Sequence, residues 1–221
     1  FESWKLDTKT SLLILDQSAP LVFQYSISII SWEFFYILIE HHGTLDLAVS
    51  NAMRNIFGLF GCVSWAFAST TNTMVSNVIG QGLEGLVPKL INRIMILSGG
   101  FALCICIILN MFPHAFLTIY GQNEAFIQHA IPTFRIVSTA LIAMAVATVW
   151  LNAVVGAGFS KINLMIELVA IVLYCLYVWY VLEYKNYSIN IGWLSEWIYW
   201  LTLFSLSFLF MRSGKWKGKK I

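Results

Sequence analysis

Reading apolar and polar positions along the chain gives six apolar stretches, roughly 19–40, 47–81, 90–112, 131–157, 162–182 and 193–211. Each approaches or exceeds the ~20 apolar residues that a helix needs to cross a hydrocarbon core ~30 Å thick. Three contain long charge-free runs, Asn55 to Leu83, Ile94 to Asn123 and Ile136 to Ser160. Helix is the expected form, because in lipid each spanning segment must satisfy its own backbone polar groups. The second stretch is longer than a bilayer requires, so its first two turns are expected to stand in the interface or to tilt. The predicted fold class is therefore an all-α integral membrane protein with six transmembrane helices.

Turn chemistry separates these helices. Gly43-Thr44 ends the first, and Gly80-Gln81-Gly82 offers the second a left-handed cap. Pro88 suits the first turn of the third, and Gly156-Ala157-Gly158 closes the fourth. Pro20 frees a carbonyl early in the first span and predicts a kink, with Gln24 one turn later facing the opening.

Composition agrees: 59% of the 221 residues are apolar and 11% are charged, against about 25% charged in soluble domains. Such a chain stays dispersed only with lipid over much of its surface. The charges also point it. With six spans, both ends and the even loops share one side, and that side carries Lys5, Lys9, Lys89, Arg93, Lys161, Arg212, Lys215, Lys217, Lys219 and Lys220. The other side carries Lys185, while Arg54 and Arg135 fall within spans. The positive-inside rule then makes both ends cytoplasmic. The expected organisation is a cytoplasmic amphipathic lead-in over 1–18, a six-helix lobe over 19–211 and a basic cytoplasmic tail over 212–221. That tail, beside a hydrophobic segment, reads as facing anionic lipid rather than nucleic acid. Trp193, Trp197, Tyr199 and Trp200 are expected to form an outer interfacial belt. Cys62, Cys104, Cys106 and Cys175 read as small buried hydrophobes.

Polar groups at membrane depth carry the functional expectations, since a charge there costs about 2.5–3.5 kcal/mol on insertion scales. Glu33 and Arg54 flank the outer hairpin at nearly equal distances in sequence. At ~1.5 Å per residue they share a depth. Asn51, Arg54, Asn55 and Gly58 repeat at i, i+3, i+4 and i+7, one face of the second helix. The expectation is that Glu33 pairs with this face and lines a polar cavity; the alternative is that Arg54 snorkels to the outer interface. By the same arithmetic Glu167 and Asn152 share a depth near the inner third, which predicts a hydrogen bond fixing two helices. Asn72 and Asn77, in the polar run 69–77, need a cavity or a neighbouring helix.

Catalytic motifs are missing. The chain has no HExxH, no G-x-S-x-G, no phosphate-binding glycine loop and no dinucleotide fingerprint. His41, His42, His114 and His129 scatter near the outer side without ligand spacing. Neither an enzyme nor a metal site is expected.

Several segments carry a resemblance. The run Ser31 to Gly43, continuing through Leu47 to Asn51 and Arg54, resembles the seventh and eighth helices of bacterial multidrug and toxic compound extrusion (MATE) transporters. Val75-Ser76-Asn77-Val78-Ile79-Gly80-Gln81-Gly82 is similar to the family's Gly-Gln signature at the end of helix eight. Asn152 to Gly158 is similar to the Gly-x-Gly segment closing helix ten, and Glu167 follows in helix eleven. The likeness covers nearly the whole chain but only the carboxyl-terminal six of the family's twelve helices. Together with the absent initiator Met, it implies a lobe whose amino-terminal six-helix counterpart lies outside this sequence.

The resemblance implies an antiporter of the bacterial cytoplasmic membrane in which sodium or proton inflow drives export of small organic, often cationic, substrates. Two positions depart from the family pattern. Many members place a carboxylate in helix seven, near Ile27 or Ser28 here, and an Asp in helix ten, near Met144; this chain has neither. Glu33 becomes the first candidate for a cation site, with Glu40 and Glu167 behind it, or the site lies in the other lobe. The competing readings are a lipid-linked oligosaccharide flippase of the related superfamily and a complete six-span channel or structural subunit.

Overall fold

The structure, a computed structural model, describes residues 8–120 and 123–218. Six long helices run back and forth: α1 (Thr8–Glu40), α2 (Thr44–Gly80), α3 (Val87–Met111), α5 (Glu124–Gly156), α6 (Ser160–Val178) and α8 (Ser195–Arg212). Two short ones, α4 (Pro113–Thr118) and α7 (Ile189–Gly192), sit in outer connections, and α6 runs on through a π turn over Trp179–Tyr184. No strand occurs among the described residues.

The helix ends follow the expected turns. Gly82 takes φ 73°, while the amides of Gln81 and Leu83 bond back to the carbonyls of Asn77 and Val78. This left-handed cap satisfies carbonyls that the last turn leaves open. Gly158 repeats the device after α5, with φ 81°, and Pro88 sits in the first turn of α3. At the start of α5, Asn123 Oδ1 accepts from the Phe126 amide at 2.9 Å.

One boundary differs from expectation. α1 begins at Thr8 and continues through Pro20, so residues 8–18 are helical and continuous with the first expected span. Residues 1–7 of the expected lead-in, and 219–221 of the basic tail, lie outside the described residues. Five helical segments are both long and apolar enough to cross a membrane. The sixth expected span, α2, has ample length at 37 residues, but its polar run Ser69–Asn77 makes it less apolar. One face of it packs along α5, burying Thr71 and Val75, while Ser69, Thr70, Thr73 and Asn77 are exposed.

α5 is the central helix. In its most apolar window 72% of residues are buried, against 28–39% for the other apolar helices. Ala130, Ala140, Ala145, Ala147 and Ala153 are fully covered, and such small side chains let α2, α3 and α8 approach closely. α1, α6 and α8 complete the lobe, α1 resting on α6 and α2. The outward faces are greasy, with Leu59, Ile96 and Ile30 each about two-thirds exposed. Apolar side chains pointing outward from long helices are the mark of a lipid-facing surface. Cys62 and Cys104 belong to that surface, contrary to expectation, whereas Cys106 is buried.

The alternating helix directions gather Lys9, Lys89, Arg93, Lys161, Arg212, Lys215 and Lys217 at one end. There Lys161 pairs with Asp16 at 2.6 Å across α6 and α1. The opposite end is joined by three histidine–carboxylate contacts, His41–Glu183, His114–Glu124 and His129–Asp46.

Candidate functional site

A cavity of about 490 Å³ lies between α1, α2, α6 and α8. α1 gives it Tyr25, Ser28 and Trp32; α2 gives Arg54, Asn55, Gly58 and Trp65; α8 gives Tyr199 and Trp200. Its wall is dominated by flat aromatic rings. On α1, Tyr25, Ser28 and Trp32 lie three and four residues apart, the spacing at which side chains on successive turns share a face.

The expected Glu33–Arg54 partnership exists, but as a loose contact. The charged atoms are 3.7 Å apart and both side chains are about half exposed. Arg54 lies over the rings of Trp32 and Tyr36, 5.2 and 5.3 Å from their centroids. Two aromatic faces thus hold the guanidinium beside the cavity independently of Glu33. Asn55 and Gly58 share that face and line the cavity, whereas Asn51, a turn earlier, is exposed outside it. Glu40 is exposed at the end of α1 and takes no part.

The carboxylate that is drawn into protein is Glu167, 2% exposed. Its Oε1 accepts from Ser28 Oγ at 2.8 Å and from the Tyr199 hydroxyl, and its Oε2 accepts from Gln24 Nε2 at 3.3 Å. Gln24 Oε1 in turn accepts from Asn163 Nδ2. The network ties α1, α6 and α8 together, and Ser28 and Tyr199 are also cavity wall. Among the described residues no basic side chain pairs with Glu167. The expected bond to Asn152 does not form, since Asn152 Nδ2 donates to Thr148 O of its own helix. Glu167 turns to α1 and α8, while Asn152 bonds within its own helix.

The two family positions noted above are now placed. Ser28 carries a hydroxyl that binds the Glu167 carboxylate. Met144 is fully buried and fills the crossing of α5 with α2, its methyl 2.8 Å from where a Cβ on Gly61 would stand.

Nothing in the sequence pattern singles out Glu196. It is 1% exposed, accepts from Trp200 Nε1 at 2.9 Å, and is also reached by Trp32. The reason is the aromatic segment around it, which the pattern assigns to the lipid interface. Trp193 is instead wholly buried and donates to Ser50 Oγ at 3.1 Å, while Tyr199 and Trp200 face the cavity. The rings line the inside of the lobe rather than belting its outside.

Asn72 opens on a second cavity of about 440 Å³ near the basic end, with Gln17, Ser18 and Ser76. Asn77 is not part of its wall. Thr70, Thr71 and Thr73 close onto carbonyls of the preceding turn, which explains how α2 carries so polar a run.

A profile of the MatE family matches residues 20–180. No curated protein matches the sequence. Among solved structures, the chain is similar to a point mutant of the Vibrio cholerae MATE transporter VcmN, with TM-score 0.87 and 15% identity over 97% of this chain and 50% of that one. It is similar to a multidrug resistance MATE transporter of the MOP superfamily in an outward-facing conformation, with TM-score 0.80 and 14% identity over 95% of this chain and 47% of that one. A MOP superfamily transporter from Pyrococcus furiosus, described as having a binding pocket of reverse polarity, matches with TM-score 0.78 and 15% identity over 91% of this chain and 44% of that one. The chain therefore spans about half the length of the transporters it matches. On the profile match, the chain belongs to the MatE family, and it shares its six-helix fold with about half of each MATE transporter it matches.

Proposed function

We propose that this chain is the carboxyl-terminal lobe of a cation-coupled antiporter that exports organic, often cationic, compounds across the bacterial cytoplasmic membrane. Both its ends face the cytoplasm, and a second six-helix lobe completes the transport path. The observation that carries the reading is the cavity wall, where Tyr25, Trp32, Trp65, Tyr199 and Trp200 offer ring faces. Ring faces attract cations by about 0.5–2 kcal/mol each, more as water is excluded, and they stack on flat organic molecules. The greasy outer surface and the basic cytoplasmic end fit a multi-pass protein of that membrane.

A flippase for lipid-linked oligosaccharide would need several basic groups facing a pyrophosphate. Arg54 is the one basic side chain on this cavity's wall among the described residues, and that favours the exporter. The test is accumulation of ethidium, a planar cation, in cells expressing the full-length protein. Export predicts lower accumulation than in cells without it, the difference being reduced by Trp32→Ala. Equal accumulation in both would overturn the reading.

A further inference from the structure

We propose that the groove between α3 and α8 at the basic end of the lobe holds one anionic phospholipid of the membrane, its phosphate at Arg212 and Lys217 and an acyl chain over Trp150. The inference uses the membrane-spanning fold and is independent of the transport reading above. Three observations support it.

First, the groove has a preformed apolar floor. α3 and α8 both pack on α5, and a cavity of about 360 Å³ opens between them where α3 starts and α8 ends. Trp150 of α5, 6% exposed, forms its base. The indole is held from both sides: its Nε1 donates to Met95 Sδ of α3 at 3.1 Å, and Phe208 of α8 meets it edge-on at 4.9 Å. Ile96, one turn after Asn92 of the α3 wall, is 67% exposed. An apolar chain leaving the groove therefore continues along a lipid-facing surface.

Second, the mouth is basic and lacks a counter-charge. Arg212 and Lys217 line the groove, and among the described residues no acidic side chain does. Neither cation forms an ion pair with a described residue. Arg212 lies instead over the Phe208 ring, 5.7 Å from its centroid, and Lys217 over Trp216 at 5.9 Å. Asn92 adds a neutral donor from the opposite wall. A guanidinium, an ammonium and a carboxamide together match the oxygens of a phosphate. Basic pockets between spanning helices are a recurrent form of anionic headgroup site.

Third, the tail is folded so as to build this mouth. A tail that met the membrane surface by charge alone would need no fixed shape. Here Gly214 and Gly218 take φ 70° and 78°, and the chain between them turns back until Trp216 is 2% exposed. Trp216 Nε1 donates to Met211 O at 2.7 Å, and the Gly218 amide donates to Glu84 Oε1 at 3.2 Å. These contacts tie the tail to α8 and to the connection before α3, and they fix Lys217 at the groove. A zwitterionic lipid would bring its own ammonium group beside two cations, which favours a headgroup whose alcohol is uncharged.

The test is lipid retention by native mass spectrometry on the purified full-length protein in detergent, titrated with phosphatidylglycerol or phosphatidylethanolamine. The variants are Arg212→Gln combined with Lys217→Gln, then Asn92→Ala, with Lys185→Gln at the opposite end as control. All four side chains are exposed, so the fold is retained, and thermal unfolding confirms it. The expected result is one tightly held phosphatidylglycerol, preferred over phosphatidylethanolamine and bound about tenfold or more weakly by the double variant, which lacks two basic groups at the headgroup. Asn92→Ala should weaken it about threefold, the scale of one neutral hydrogen bond, and Lys185→Gln should leave it unchanged. Equal affinity for the two lipids, or full retention by the double variant, overturns the site. Unchanged retention in Asn92→Ala means a diffuse basic surface rather than a groove, and overturns it too. Displacement of the lipid by an equal concentration of glycerol phosphate means a site for a soluble anion and rules the lipid out. No substrate or gradient is present, so failure here and failure of ethidium export are separate results.

Discussion

The α-carbon of Gly156 lies so close to Asn72 that a Cβ there would meet the Asn72 carbonyl oxygen at 2.5 Å. The obstacle is backbone, which cannot swing aside as a side-chain tip can. Gly156→Ala is therefore expected to separate α5 from α2 and destabilise the lobe by about 1–3 kcal/mol, the usual cost of overpacking. Thermal unfolding of the purified protein should show a lowered midpoint. At Gly58, on the cavity side of α2, an added Cβ would meet nothing within 4 Å. Gly58→Ala should leave the midpoint near that of the unaltered protein, or raise it slightly through alanine's better helix propensity.

Glu33→Gln is expected to change stability by less than about 1 kcal/mol, the range for exposed ion pairs. The contact is 3.7 Å long between half-exposed groups, and Arg54 keeps its two ring faces. Ethidium efflux should also be nearly unchanged. A large loss in either measurement would mean that Glu33 does more than its geometry indicates.

Arg54 places a positive charge on the wall of a cavity proposed to receive cations. Arg54→Gln should improve the apparent affinity for a dicationic substrate by about 1 kcal/mol, roughly fivefold, as expected for like charges several ångströms apart in a wet site. The gain should be smaller for a monocation. Competition measurements across a series of substrate charges would read this directly.

The aromatic wall predicts a different pattern. Trp32→Ala and Trp200→Ala should each weaken ethidium by about 0.5–2 kcal/mol, while Trp→Phe at the same positions retains part of the interaction. Trp200 also donates to Glu196 at 2.9 Å, so its alanine variant leaves a buried carboxylate short of a donor and should lose stability as well as affinity. Trp32→Phe against Trp32→Ala, scored by KM, separates ring contact from packing.

Topology can be checked with thiol labelling. Lys185→Cys should react with an impermeant maleimide added to intact cells, and Lys89→Cys only after permeabilisation. The opposite pattern would invert the lobe.

The helices were legible because hydrocarbon thickness and backbone satisfaction act along the chain, on runs of residues. The caps were legible for a similar reason, since Gly82 and Gly158 take the positive φ that their turns require. Depth was legible too, and it brought Glu33 to Arg54. Depth says nothing about direction around a helix axis, so the same arithmetic failed for Glu167 and Asn152. Glu167 turns toward Ser28 and Tyr199, partners 139 and 32 residues away in sequence. The tryptophans misled for a related reason. An amphipathic ring suits a membrane interface and a polar-edged cavity equally well, and only the packing of α8 against α5 and α6 decides which way its rings point.

The central claim is gradient-driven export through the aromatic cavity. Its most direct test is ethidium efflux from proteoliposomes holding the full-length protein, with sodium and pH gradients imposed independently. Efflux against a concentration gradient when a cation gradient is imposed, and none when both are collapsed, is the predicted result. Efflux that ignores both gradients, or only runs downhill, would contradict it.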